Sequence, residues 1–454
     1  MTHSSPSFLF TVLRARSAAS VKPLKSLALV LGVMLMLAGC SVSTNTGGVP
    51  SGTTPRPLPT AATTESPAPC GLGTCYTPEQ LRDAYNVTPL LNKGYTGKGQ
   101  TVVLIESYGS PTIQQDLDTF DQQFGLPPLT VKVLSPLGTV PFDSGNSEMT
   151  GWQGETTLDV ETVHAIAPGA NITILTSPVD ETEGVQGIPQ FLQLEQYAVQ
   201  NHLGNIISQS WAASEVSLDD PSGKAAIAPF DAFFKQATTQ DGVTFFGSTG
   251  DNGATDCVVY DENTSSCTQY SSSPTIAFPA GDPWVTAAGG TSLNISGSSV
   301  SESAWNGSNG GVSRFYSEPS YQQSLPTSDQ RILNGKRAVP DIAASADPSE
   351  ALAIYTSGSG WQPVGGTSAA SPLWAGLTAI ADQMAGHGLG FLNPKLYQIA
   401  ASSKYAQDFN DITTGDNTNS SENVQGYPAT TGWDPVTGLG TPNAANLLPD
   451  LVAA

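Results

Sequence analysis

Four short apolar runs punctuate the middle of the chain, at 101–105 (TVVLI), 172–175 (ITIL), 205–208 (NIIS) and 243–246 (VTFF). Each is strand-length and mostly apolar, as suits a parallel strand covered on both faces. The stretches 113–124, 155–166, 188–201 and 230–238 lie between them and have the length and spacing of helices. This alternation predicts an α/β fold with a doubly wound, mostly parallel sheet, helices on both faces, and a functional site at the carboxyl ends of the strands. No internal repeat and no second domain boundary interrupts the pattern, so 71–454 is expected to fold as one domain.

The N-terminal part reads differently. Arg14, Arg16, Lys22 and Lys25 precede an apolar run from Leu27 to Leu37. That run is too short to span a bilayer and has the layout of a signal peptide. It ends in Leu37-Ala38-Gly39-Cys40, which resembles a bacterial lipobox, where small residues admit the signal peptidase and the cysteine thiol is acylated. Residues 1–39 are therefore expected to be a lipoprotein signal peptide and Cys40 the lipidation site; the alternative is an ordinary signal peptide with a stray cysteine. The mature protein is expected to be exported and held by its lipid on the outer face of a bacterial cell membrane. Residues 40–70 are Ser, Thr, Pro and Gly with almost no large apolar side chain, a composition that cannot bury enough surface to order itself and predicts a disordered tether.

Charge narrows the partners. There are 17 Lys and Arg against 39 Asp and Glu, a formal charge of -22 over 454 residues, and loss of the leader removes four bases and no acid. Phosphate binding needs a basic surface, so nucleic acid is not expected as a partner. The acidity suits either solubility or work at low pH, where many carboxylates carry protons. Beyond Cys40 there remain Cys70, Cys75, Cys257 and Cys267. In an oxidising compartment their short spacings favour Cys70–Cys75 and Cys257–Cys267 disulfides; a metal site is the weaker rival, because no histidine lies near either pair.

The richest chemistry lies in Gly365-Gly366-Thr367-Ser368-Ala369-Ala370-Ser371-Pro372. Two glycines permit a tight turn, Thr367 or Ser368 can cap a helix, Pro372 is expected in its first turn, and the apolar stretch 373–384 makes that helix buried. A serine at such a helix start meets the positive end of the helix dipole. A serine nucleophile needs a base, yet the chain has four histidines, His3, His164, His202 and His387. None lies in a His-Gly-Thr context, and Glu106-Ser107-Tyr108-Gly109 after the first strand has no Asp-Thr-Gly. His164 is expected to pack near the core. Glu155 and Asp159 stand at i and i+4, so a helix puts both carboxyls on one face. Such a pair is most often a solvated face, but two close carboxyls cannot both ionise cheaply, and one can serve as a base where histidine would already be protonated.

Taken together, the GTSxxSP stretch, the Glu-x-x-x-Asp pair followed by Ala167-Pro168-Gly169-Ala170, and Ser248-Thr249-Gly250-Asp251-Asn252-Gly253 after the 243–246 run resemble the sedolisin (serine-carboxyl peptidase) family. The resemblance runs from Tyr76-Thr77-Pro78 to Gly440-Thr441-Pro442. It implies a subtilisin-like fold and an acid-acting peptidase with Ser368 as nucleophile, Glu155 as general base, Asp159 as its support and a protonated Asp251 at the oxyanion. It also implies contact of Ser210, Trp211 and Ala212 with the substrate backbone, with Ala212 standing where the family has glycine. One structural Ca²⁺ is implied on the side chains of Asp411 and Asp434 and the carbonyls of Ile412, Thr430 and Gly432, with Thr430 at a position commonly glycine. Polypeptides are the expected substrates, cut in endo- or tripeptidyl mode, and a monomer is expected. Family members usually carry a large N-terminal pro-segment. Here only the tether separates Cys40 from the domain, so either none is needed or another chain supplies it. The competing function is a catalytically silent, lipid-anchored peptide-binding protein on the same fold. A histidine-dependent hydrolase is disfavoured by the missing base.

Overall fold

The computed structural model describes residues 56–57, 70, 74–181, 185–261 and 266–453. The signal peptide and Cys40 lie outside these residues. The central strands are β1 (Thr101–Ser107), β2 (Lys132–Leu134), β3 (Asn171–Ser177), β4 (Ile206–Gln209) and β5 (Thr244–Ser248). A hairpin, β6 (Cys257–Asp261) and β7 (Ser266–Tyr270), follows, and then β8 (Thr286–Ser296), β9 (Ser299–Ala304) and β10 (Ile342–Ser345). The nine-stranded sheet runs Arg56–Pro57, β9, β8, β5, β4, β1, β3, β2, with β10 also paired to β8. Pairings from β8 through to β2 are parallel, as is β8 with β10, whereas β9 and Arg56–Pro57 are antiparallel additions. That short strand falls inside the segment expected to be a tether.

The apolar runs are covered on both faces, as their composition predicts. Along β1, Val102 and Leu104 enter one hydrophobic cluster while Val103 and Ile105 enter the other, because successive strand side chains point to opposite faces. On the first face lie α1 (Ile113–Phe124), α2 (Ser147–Ile166), α5 (Thr367–Ala385) and α6 (Ala444–Val452). The second carries α3 (Ile188–Gln200) and α4 (Pro221–Thr239), where the rings of Phe234 and Phe245 have centroids 4.7 Å apart. Among the described residues no helix is long and apolar enough to cross a membrane.

The core is unusually acidic. Glu161, Glu195, Glu215, Asp282 and Asp382 are all fully buried. Arg337 is the only buried Lys or Arg among the described residues, and its guanidinium is taken by Asp341. Neither oxygen of Glu195 has a hydrogen-bond partner, nor does Oε1 of Glu161. Desolvation raises all five carboxyls above their ordinary range, Glu215, Asp282 and Asp382 to about 7. The folded chain thus keeps protons that the unfolded chain releases near pH 4. Their contribution to stability is complete below that pH and is lost as pH climbs towards about 7, at up to ~1.4 kcal/mol per pH unit for each group in its window. The urea midpoint is therefore expected to fall between pH 4.5 and 7.5, and Glu195→Gln to flatten the fall. A midpoint that rises with pH would contradict this account.

Candidate active site

Ser368 is positioned by a turn that tolerates no side chain. Gly366 precedes α5 with φ of +104°, and a Cβ there would lie 2.5 Å from Asp251 Oδ2, so only glycine fits. Neither Thr367 nor Ser368 caps the helix; the N-cap is Gly366 and makes no side-chain bond. The Thr367 hydroxyl instead donates to Asp251 Oδ1 at 2.9 Å and accepts from the Gly250 N–H at 2.9 Å. Pro372 lies inside the helix rather than in its first turn. Lacking an N–H, it leaves the Ser368 carbonyl without its usual donor four residues on, and the Ser210 hydroxyl supplies one at 3.3 Å.

Helix α2 carries the carboxylates to this point. Its N-cap Asn146 accepts from the Met149 N–H at 3.0 Å, and Glu155 and Asp159 follow two and three turns later. Ser368 and the half-buried Glu155 line the same cleft. Desolvation lifts Glu155 above the usual carboxylate range, and the neighbouring Ser368 hydroxyl opposes the rise. Asp159 is fully buried and accepts the Ser210 hydroxyl at 2.9 and 2.8 Å on its two oxygens. The Ser210 side chain is thus taken up by Asp159, while Ser210, Trp211 and Ala212 all line the cleft. Behind Asp159 stands a residue that the sequence reading left without a role: Glu106, fully buried at the end of β1. Glu106 and Asp159 share a carboxyl-to-carboxyl hydrogen bond, and both are held well above their ordinary range, first by desolvation and then by each other's or Glu155's charge. Such a bond needs a proton between the two groups. The recognisable signal was an acid directly after a buried apolar strand.

Asp251 follows β5, lies against the start of α5 and lines the same cleft as Ser368. Its Oδ1 accepts the Thr367 N–H at 2.7 Å. The residue is open to solvent on the cleft side, yet the protein packed around its carboxyl desolvates it and raises its pKa. The cleft has a volume of about 700 Å³ and is lined by Glu155, Asp251 and Ser368, with Trp152, Trp211 and Ala212 among its walls. Trp211 is 3% exposed, is packed against Phe191, and its indole N–H has no partner. His164 is away from this site: its Nε2 lies 3.0 Å from Asp121 Oδ1 and 3.0 Å from the Pro127 carbonyl. Among the described residues no histidine lines the cleft. Both expected disulfides are formed, Cys70–Cys75 and Cys257–Cys267, and the second borders the cleft.

The two segments expected to hold Ca²⁺ come together. Asp411 accepts the Gly432 N–H at 3.0 Å and the Tyr405 hydroxyl at 3.0 Å. Asp434 accepts the Thr430 N–H at 3.1 Å and the Val436 N–H at 2.9 Å. The turn at 430–432 thus lies between both carboxylates. Among the described residues the carbonyls of Ile412, Thr430 and Gly432 accept no backbone hydrogen bond, which fits a hard cation that takes carbonyl and carboxylate oxygens together. No cluster of three or more His, Cys, Asp or Glu suited to a metal occurs among the described residues, and this set, with two carboxylates, would not form one.

No family model matches the chain. It is, however, 30% identical over 431 residues to tripeptidyl-peptidase 1 of Canis lupus familiaris, covering 87% of this chain and 68% of that one. The chain belongs to the sedolisin family. It is also 33% identical over 402 residues to kumamolisin of Bacillus sp., covering 86% of this chain but 65% of the relative, and it spans 42% of the length of xanthomonalisin from Xanthomonas sp.. Among solved structures it resembles Pseudomonas sedolisin, a serine-carboxyl proteinase complexed with pseudo-iodotyrostatin, with a TM-score of 0.66, 27% identity, and coverage of 84% of this chain and 98% of that one. The subtilisin-like α/β fold expected from the sequence is thereby shown for this sedolisin-family chain.

Proposed function

We propose that the chain is an acid-acting serine-type peptidase that cleaves polypeptides through an acyl-enzyme on Ser368. The observation that carries this reading is Ser368 and Glu155 lining one cleft in which, among the described residues, there is no histidine. Glu155 accepts the Ser368 proton as the oxygen attacks the substrate carbonyl, then returns it to the leaving amine; the same carboxylate next draws a proton from water to release the acyl group. Asp159 and Glu106 hold the proton balance behind Glu155. Asp251, whose carboxyl desolvation pushes towards the protonated form, donates to the oxyanion when it carries its proton. As pH rises, Asp251 and the Asp159–Glu106 pair lose the protons the cycle needs, which sets the alkaline limb of the profile and puts the expected maximum in the acid range. The test is hydrolysis of a denatured protein from pH 3 to 8 by the wild type and by Ser368→Ala. Equal cleavage by both, or a maximum above pH 7, would overturn the proposal.

The family resemblance and the free carbonyls at 412, 430 and 432 support a structural Ca²⁺ held with Asp411 and Asp434. It would tie the 411 and 430–434 segments together and takes no part in the chemistry. Chelation by EDTA at constant pH is expected to lower the melting temperature by roughly 5 °C, restored by Ca²⁺ and not by Mg²⁺. An unchanged melt would remove the ion from the account. The signal-like leader and Leu37-Ala38-Gly39-Cys40 support export and acylation at Cys40, which would place the peptidase on a membrane surface.

A further inference from the structure

Asp256 lies five residues beyond Asp251, at the foot of the β6–β7 hairpin, and is only 4% exposed. Its Oδ1 accepts from Asn252 Nδ2 and from the Cys257 N–H, each at 2.9 Å. Its Oδ2 has no partner, and the residue lines the cleft. A Cβ on Gly250 would lie 3.8 Å from that oxygen, which puts it beside the turn that presents Asp251. A buried acceptor left unsatisfied is costly, more so when charged, and calls for an explanation such as a ligand that completes it. Tyr260, Tyr270 and the Cys257–Cys267 disulfide line the same cleft as Asp256, walls that suit a long side chain. Glu148 and Glu181 add negative charge, and among the described residues no Lys, Arg or His lines the cleft.

We propose that Asp256 determines specificity, receiving the ammonium or guanidinium of a basic side chain on the substrate residue whose carbonyl Ser368 attacks. This assignment rests on the peptidase reading. With the carbonyl oxygen of that residue at Asp251, its Cβ is two bonds from the reacting carbon, so its side chain leaves into the space beside the Gly250 turn. Tyr260 and Tyr270 then flank the aliphatic stem and the cation meets Oδ2. The competing role is electrostatic: Asp256 is raised to about 6, chiefly by desolvation, with Asp251 contributing, and it could act on its neighbour instead. Acting so, it would affect all substrates alike.

The experiment compares kcat/KM of the wild type and Asp256→Asn on two quenched peptides that differ only at this position, lysine against norleucine. The wild type is expected to prefer lysine by about tenfold or more, and Asp256→Asn to lose most of that preference. A wild type indifferent to the charge, or a variant that keeps the preference while both rates fall together, overturns the assignment. Should Asp256→Asn not fold, inhibition of the wild type by matched peptide aldehydes decides: argininal binding about tenfold tighter than norleucinal supports it, and equal binding rejects it. Absence of cleavage of both peptides by the wild type, or equal cleavage by Ser368→Ala, sinks the peptidase reading and this assignment with it.

Discussion

Ser368→Ala and Glu155→Gln are each expected to lower kcat on a peptide substrate by on the order of 10,000-fold or more. The magnitude follows from what the two groups do together. The serine hydroxyl is a weak nucleophile until its proton is taken, and in this cleft Glu155 is the carboxyl proposed to take it. Glutamine keeps the shape and hydrogen-bonding reach of Glu155 but cannot accept the proton. Because the two act as one unit, the double variant should be no worse than about threefold below either single one. Residual activity above water would come from Asp251 and from substrate binding. His164→Ala supplies the contrast. Its imidazole is bonded to Asp121 and Pro127 O, remote from Ser368, so its loss is expected to cost stability and leave kcat within a few-fold. A Glu155→Gln enzyme with near-normal turnover, or a His164→Ala enzyme with none, would return the base to histidine.

Much of this site was legible because its residues sit where strands and helices begin or end. The apolar runs mark β1, β3, β4 and β5 to within a residue or two, and Glu106, Ser210 and Asp251 all follow their carboxyl ends. What stayed hidden has physical causes. Helix α2 starts at Ser147, eight residues before the expected start, because Gly151 and Gly154 break the apolar periodicity while the Asn146 cap and packing of the later turns hold the helix. Helix α4 runs from Pro221 through Pro229, which local reading takes for a break. Glu106 drew attention only for lacking an Asp-Thr-Gly context; its partnership with Asp159 joins residues 53 apart, which no local spacing reveals. Pro372 in the second turn of α5 leaves the Ser368 carbonyl without its helical donor, and the Ser210 hydroxyl comes within 3.3 Å of that carbonyl, a juxtaposition visible only once both elements are in place.

Asp251→Ala is expected to cost 100- to 1,000-fold in kcat, by roughly the amount that one oxyanion donor is worth, with KM changed little. An oxyanion exists only after attack, so a group that serves it stabilises the transition state more than the bound substrate. The geometry adds a second consequence. Asp251 Oδ1 already takes the Thr367 N–H at 2.7 Å and its hydroxyl at 2.9 Å, so a protonated Asp251 is oriented by two donors on one oxygen and can turn its own proton, on Oδ2, towards the cleft. Gly366 is compelled by that same Oδ2, which ties this glycine to Asp251, the proposed oxyanion donor, rather than to the helix. Gly366→Ala should therefore reproduce much of the Asp251→Ala defect in kcat while leaving Asp251 in place. Measured at pH 4 with the melting temperature as a check on folding, a loss in KM alone, or an Asp251→Ala enzyme within about threefold of wild type, would show that the charge on the carbonyl oxygen is met by something other than Asp251.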